Sequence, residues 1–195
     1  MRCIIGAYKQ GGQTMEESQS LKNTAREILA KVPAGEKREL VAKSRWTCDS
    51  QWMMSMVFNA GWDIANKMNL QVGQAVGKVE MFRLMKVLGL NKPKDEKEFM
   101  MLMTLAMETF TTQDYFDYEF RLLSSGKWVG IIKQCYAYTK VRSINVEKDY
   151  ECGCFGLRAG WYQAMGLDVK EKLVKCLKDG ADQCEIMVES FAFPV

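Results

Sequence analysis

The stretch YFDYEFRLLSSGKWVGIIKQCYAYTKV, residues 115–141, decides how the chain reads. Phe116, Tyr118, Phe120 and Leu122 fall on one side of an extended chain, and Asp117, Glu119 and Arg121 on the other. This period of two marks a half-buried strand. SSGK, residues 124–127, turns the chain into a second segment rich in aromatic and β-branched residues, WVGIIKQCYAYTKV, which reads as the next strand. Further on, FGLRAGWYQAMGL (155–167) reads as a short helix, and DVKEKLVKCLK (168–178) with CEIMVESFAF (184–193) as a closing hairpin centred on Gly180. From residue 112 onward the sequence predicts an antiparallel sheet of about four strands, with one helix inserted between its hairpins.

Before residue 112 the period is helical. TMEESQSLKNTAREILAKV opens with Thr14 three residues ahead of Glu17, a capping box, and stops at Pro33 and Gly35. A second helical stretch covers about 36–68, where Trp46, Trp52, Met53, Met56, Val57, Ala60 and Ile64 recur near the helical period and Gly61 weakens it. A third covers about 70–88 and ends in LGLNKP, where Gly89 suits a left-handed cap and Pro93 prevents continuation. Asp95 with Glu98 offers another capping box, for EKEFMMLMTLAMETF. With no linker, repeat or low-complexity segment between them, a helical subregion (1–111) and a sheet subregion (112–195) are expected to share one core in a single α+β domain.

Composition narrows the function classes. A chain of 195 residues that is 48% hydrophobic and 26% charged has the make-up of a globular protein. Its 27 basic and 24 acidic residues are mixed along the chain for a net charge of +3, so no basic stripe exists for nucleic acid. No run approaches the roughly 20 apolar residues of a membrane span. The N-terminal apolar stretch is too short for a signal peptide core. A cytoplasmic location is expected, where thiols stay reduced. The seven cysteines, at 3, 48, 135, 152, 154, 176 and 184, then read as metal ligands, catalytic groups or core residues rather than a disulfide framework.

Cys176 and Cys184 flank the turn at Gly180, in a chain with no histidine. Directly opposed residues of an antiparallel pair have Cβ atoms roughly 4.5–5.5 Å apart, close enough for two thiolates to hold one soft cation. Structural zinc takes four ligands, with Zn–S bonds of about 2.3 Å. Cys135 lies on the second strand, and Cys152 and Cys154 sit where the inserted helix begins. A zinc site drawn from Cys135, Cys152, Cys176 and Cys184, with Cys154 as the alternative to Cys152, follows as a candidate. Against it, isolated cysteines are commonly buried as small hydrophobes, and this spacing is not a tight Cys-x2-Cys knuckle.

Residues 152–189, CGCFGLRAGWYQAMGLDVKEKLVKCLKDGADQCEIMVE, resemble the C-terminal signature of 4-vinyl reductase domains: a cysteine, a small-residue helix, a strand, then Cys-x7-Cys followed by Glu and an aliphatic residue. That superfamily comprises ligand-binding modules of nitric-oxide signalling and Golgi transport. In its phenol-sensing members, a cysteine, a Glu three residues before the next cysteine, and the Cys-x7-Cys pair hold zinc beside an aromatic-ligand pocket. Cys176, Cys184 and Cys152 or Cys154 match that pattern. Leu173 stands where the Glu would be, which leaves Cys135, or less readily Glu171, as the substitute. Over residues 45–190 the chain is also similar to prokaryotic proteins near the L-2-amino-thiazoline-4-carboxylate hydrolases, through Asp49 and Trp52 in an Asp-x-x-Trp motif, Cys135 and the C-terminal pair.

These resemblances imply a zinc-stabilised binding protein for a small hydrophobic or aromatic molecule, with Trp52, Trp62, Tyr118, Phe120 and Trp161 as pocket candidates among methionine-rich helices. Met and aromatic stripes at helical spacing are more often core than pocket. The alternative is a Cys- or metal-dependent hydrolase of a small heterocyclic or amide substrate. Without histidine, its proton transfer would fall to a carboxylate, a thiolate or metal-bound water. Haem stands behind both, because its axial ligand would have to be Cys, Met or Tyr. The Met-rich helices would equally suit a homodimer interface.

Overall fold

A computed structural model describes residues 15–124 and 127–192. Those residues divide into two compact units after Val41. The first contains α1 (Met15–Ala30) and the beginning of α2 (Ala34–Leu88). In the turn between them the Lys31 and Val32 amides donate to the Ile28 and Leu29 carbonyls, and Lys37 Nζ donates to the Leu29 carbonyl at 3.1 Å. The Thr14 cap expected for α1 lies outside the described residues.

The second unit holds the rest of α2, then α3 (Glu96–Phe110), β1 (Phe116–Ser124), β2 (Lys127–Cys135), α4 (Tyr136–Ser143), α5 (Cys154–Met165), β3 (Asp168–Lys175) and β4 (Cys184–Ala192). The four strands form one antiparallel sheet in the order β1-β2-β4-β3. The α+β class expected from the change of period is the observed one. Among the described residues no helix is long and apolar enough to cross a membrane.

Two expectations need correction. The stretches 36–68 and 70–88 are one element, and its break falls at Gly61 (φ 80°, ψ 169°), a conformation that costs a glycine little and a side-chain-bearing residue much. Residues 68–70, Met-Asn-Leu, contain nothing that stops a helix. The segment YAYTKV, read as more strand, is α4 instead. The sheet explains why. Beta-4 begins at Cys184 opposite Ile132, and β1 begins at Phe116 opposite Cys135. Beyond Cys135 both neighbours have run out, so an extended backbone there would leave its amides unpaired, whereas a helix satisfies them internally. Two helices therefore separate the hairpins, not one.

The core sits where α2, α3 and α5 meet the sheet. Asp95 Oδ1 accepts the Glu98 amide at 2.8 Å and Glu98 Oε2 accepts the Lys94 amide at 2.8 Å, starting α3 as the sequence predicts. Phe99, Leu102, Met103, Ala106 and Met107 then recur at helical spacing and are buried. They pack with Met81, Leu84 and Met85 of α2, Trp161, Tyr162 and Met165 of α5, Trp128 of β2 and Val188 of β4. Phe99 centres this cluster, 5.5 Å from the Trp128 ring and 5.9 Å from that of Tyr162.

Helices α2 and α5 touch backbone to backbone. Gly73 and Gly77 face α5, and Gly156 and Gly160 face α2. A Cβ at Gly77 would overlap the Leu157 backbone, one at Gly156 the Leu70 carbonyl, and one at Gly160 the Gln74 carbonyl. Small residues four apart on both helices thus fix where α5 begins, and with it the placement of Cys152 and Cys154.

Candidate functional site: an apolar cavity with a thiol wall

A cavity of about 540 Å3 opens within the second unit. That lies inside the roughly 300–1,000 Å3 range of small-molecule sites. Trp52, Met53, Met56, Met68 and Val72 line it from α2, Met103 and Met107 from α3, and Phe116, Phe120, Ile132, Leu173 and Ile186 from the sheet. Methionine divides between two jobs. Met81 and Met85 are buried in the core, Met103 and Met107 are buried there and also reach the cavity wall, and Met53, Met56 and Met68 are partly exposed on the cavity side.

Cys135, Cys152, Cys154, Cys176 and Cys184 all lie on this cavity's wall. Cys135 ends β2 and is the residue preceding α4. Cys154 is the first residue of α5. Cys176 and Cys184 bracket the turn between β3 and β4, their sulfurs 3.8 Å apart, and the Leu177 amide donates to Cys184 Sγ at 3.3 Å. The sulfurs of Cys152 and Cys154 are 2.9 Å apart. Proximity of residues 176 and 184 follows from the turn, as the sequence predicts. The tighter pairing of 152 with 154 depends on how the preceding loop is held.

Asn66 holds that loop. It is 5% exposed on α2, donates from Nδ2 to the Asp149 carbonyl at 2.7 Å and accepts the Glu151 amide on Oδ1 at 3.0 Å. Within the loop the Gly153 amide donates to the Tyr150 hydroxyl at 3.3 Å. Sequence alone gives no sign of this clamp, because a single Asn on a helix is most often solvated.

Charge is concentrated at one point of the wall. Arg158, one turn into α5 and 9% exposed, donates from Nε and Nη2 to the two carboxylate oxygens of Glu171 at 2.9 and 3.1 Å. The Tyr162 hydroxyl donates to Glu171 Oε2 at 3.1 Å. Arg158 also stands over the Phe155 ring at 4.6 Å. Hydrogen bonding from the Cys152 thiol, and then the Arg158 guanidinium, bring Cys154 down to about 6 against the ordinary thiol value. Cys152, the donor of that bond, is pushed up in return, and burial adds to the effect. Burial raises Cys135 to about 11 and Cys184 to about 12. A lone arginine inside FGLRAGW was the available signal for this network.

A second polar group involves α2. Arg45 Nη1 meets Glu80 Oε1 at 2.7 Å, and the Trp161 indole donates to Glu80 Oε2 at 3.2 Å. Burial raises Glu80, opposed by Arg45, and raises Asp49 in the same way. Asp49 and Trp52 of the Asp-x-x-Trp motif both line the cavity. Of the aromatic pocket candidates, Trp52, Phe120 and Trp161 line it. Trp62 is partly buried elsewhere on α2, and Tyr118 donates its hydroxyl to Glu108 Oε1 at 2.7 Å.

The donor chemistry of the wall suits zinc. Tetrahedral Zn–S bonds of about 2.3 Å place sulfurs about 3.8 Å apart. Cys176 and Cys184 meet that spacing. Cys152 and Cys154, at 2.9 Å, are alternatives for one position of the expected set, not joint members of it. Among the described residues, no three His, Cys, Asp or Glu side chains form a set that could hold a metal. Glu171, the carboxylate substitute, is occupied by Arg158 and Tyr162.

No family model and no curated protein matches the chain. Solved structures do. Trafficking protein particle complex subunit 3 from Naegleria fowleri, covalently bound to palmitic acid, is similar at a TM-score of 0.55 and 16% identity, over 79% of this chain and 95% of that one. An H-NOX protein from S. oneidensis in the Fe(II)NO ligation state gives a TM-score of 0.44 and 15% identity, over 64% of each chain. The long helices on a four-stranded antiparallel sheet are the fold that the trafficking subunit has.

Proposed function

We propose that this chain is a binding protein for a small hydrophobic molecule, which occupies the cavity with one end against the thiol wall. The observation that carries this reading is the cavity itself, about 540 Å3, with five methionines and eight aromatic residues among the side chains that line it. Flexible thioethers repack around a guest of irregular shape, which suits a chain-like or aromatic molecule. The similar trafficking subunit is covalently bound to palmitic acid. An acyl chain is therefore the first guest to try, and Cys154, the thiol most favoured as thiolate, is the group that such a guest's carbonyl end would meet.

Displacement of a fluorescent fatty-acid probe by palmitate, and separately by phenol and naphthol, tests the reading and sorts the guest class. Saturable one-to-one displacement by at least one of them is expected. It should be lost in Met56→Lys, which sets a charge in the cavity wall without touching the core cluster. Failure of every apolar competitor to displace the probe would sink the proposal.

A hydrolase reading draws on the same Cys154 thiolate. It predicts steady turnover of an activated ester such as p-nitrophenyl octanoate, whereas a binding protein gives one acylation per chain and then stops.

A further inference from the structure

We infer that Cys152 and Cys154 are a redox-active dithiol that closes to a disulfide in reaction with a hydroperoxide. Their sulfurs stand 2.9 Å apart across a single glycine. A disulfide needs a bond of about 2.05 Å and a Cα separation of roughly 4.4–6.8 Å. Gly153 has helical dihedrals, φ −64° and ψ −13°. Residues that flank one helical residue have Cα atoms about 5.4 Å apart, so rotation of the two side chains closes the bond with the backbone in place. Both cysteines line the cavity, which gives an oxidant access to them. The loop is pinned by Asn66, and Cys154 is the first residue of α5, one turn before Arg158.

The two sulfurs take different parts. Cys154, as thiolate, attacks the terminal oxygen of the hydroperoxide. An S–O bond forms, the O–O bond breaks, and the departing alkoxide or hydroxide takes a proton from water. Cys152 then attacks the sulfenic sulfur of Cys154. The S–S bond forms, the S–O bond breaks, and the hydroxide released takes the Cys152 proton and leaves as water. The thiols together give two electrons to the peroxide, and a dithiol reductant returns them. The inference goes beyond the proposed function and does not depend on it, since the pair stands whether or not the cavity holds an apolar guest.

The test uses the full chain, reduced and freed of reductant, treated with hydrogen peroxide, alkylated and read peptide by peptide in a mass spectrometer. Cys48, which is exposed on α2, is the internal reference thiol. The expected result is a peptide containing residues 152–154 that lacks two hydrogen atoms and resists alkylation. It should form at least about tenfold faster than Cys48 oxidises and be reversed by dithiothreitol. In Cys152→Ser, a sulfenic acid at Cys154 should be trapped by dimedone. Three results would overturn the inference: oxidation of residues 152 and 154 no faster than Cys48, a disulfide between Cys176 and Cys184 in their place, or one tightly held zinc per chain that protects Cys152. The comparison with Cys48 is made in the unaltered protein, so it stands even where a variant folds poorly.

Discussion

Cys154 and Cys184 lie on the same cavity wall, yet their thiols are driven in opposite directions, down to about 6 and up to about 12. The difference lies in their partners. Cys154 receives a hydrogen bond from Cys152 and has Arg158 beside it, while burial dominates at Cys184. Because the thiolate is the nucleophile, alkylation of Cys154 should rise as pH passes upward through about 6 and level off above it, which peptide-resolved iodoacetamide rates would show. Arg158→Met should move that midpoint upward, since the favourable charge is gone. Asn66 belongs to the same scale. Asn66→Ala removes the partner of both the Glu151 amide and the Asp149 carbonyl, and the loss of two part-buried hydrogen bonds should cost about 1–3 kcal/mol in urea unfolding. Hydrogen exchange should then accelerate in residues 144–153. Of these residues, only the cysteines were legible in the sequence. Cysteine advertises its chemistry by type, whereas Asn66 and Arg158 matter through partners 83 and 13 residues away.

At the scale of elements, the contact between α2 and α5 is the least forgiving. Gly77→Ala or Gly156→Ala would drive a methyl group into a carbonyl of the facing helix, an overpacking that typically costs about 1–3 kcal/mol. Gly35→Ala meets nothing within 4 Å and should be neutral or stabilise by about 0.4–1 kcal/mol. Thermal unfolding of the three variants side by side would check the contrast. The alternation at 116–122, the box at Asp95 and Glu98, and the turn at Gly180 were readable because each is a local pattern with a local cause. Helix α4 was not. Its aromatic sequence fits a strand, and its fate is decided by where β1 and β4 begin, which no window around residue 136 contains. The break in α2 was half visible: Gly61 announced a weakness, but the neighbouring residues gave no sign that it would be the only one.

For the molecule as a whole, binding and stability are linked. A guest that fills the cavity of the folded chain and has no affinity for the unfolded one stabilises it by about 2.7 kcal/mol at a hundredfold excess over its dissociation constant. The unfolding temperature should therefore climb with added palmitate or aromatic competitor, and Met56→Lys should abolish the climb. The fold class and the location of the thiols could be inferred before any coordinates, but not the size of the cavity. Cavity volume is the difference between side-chain positions set by α2, α3 and the sheet together, and no short segment encodes it.

The strand order leaves β3 on an outer margin of the sheet, with Lys170 and Lys172 exposed along it, while Lys175 is paired with Glu185 of β4 at 3.0 Å. A strand from another molecule seeking the free amides and carbonyls there would meet a row of ammonium groups. Edge-to-edge strand addition on this side of the sheet is thereby opposed electrostatically.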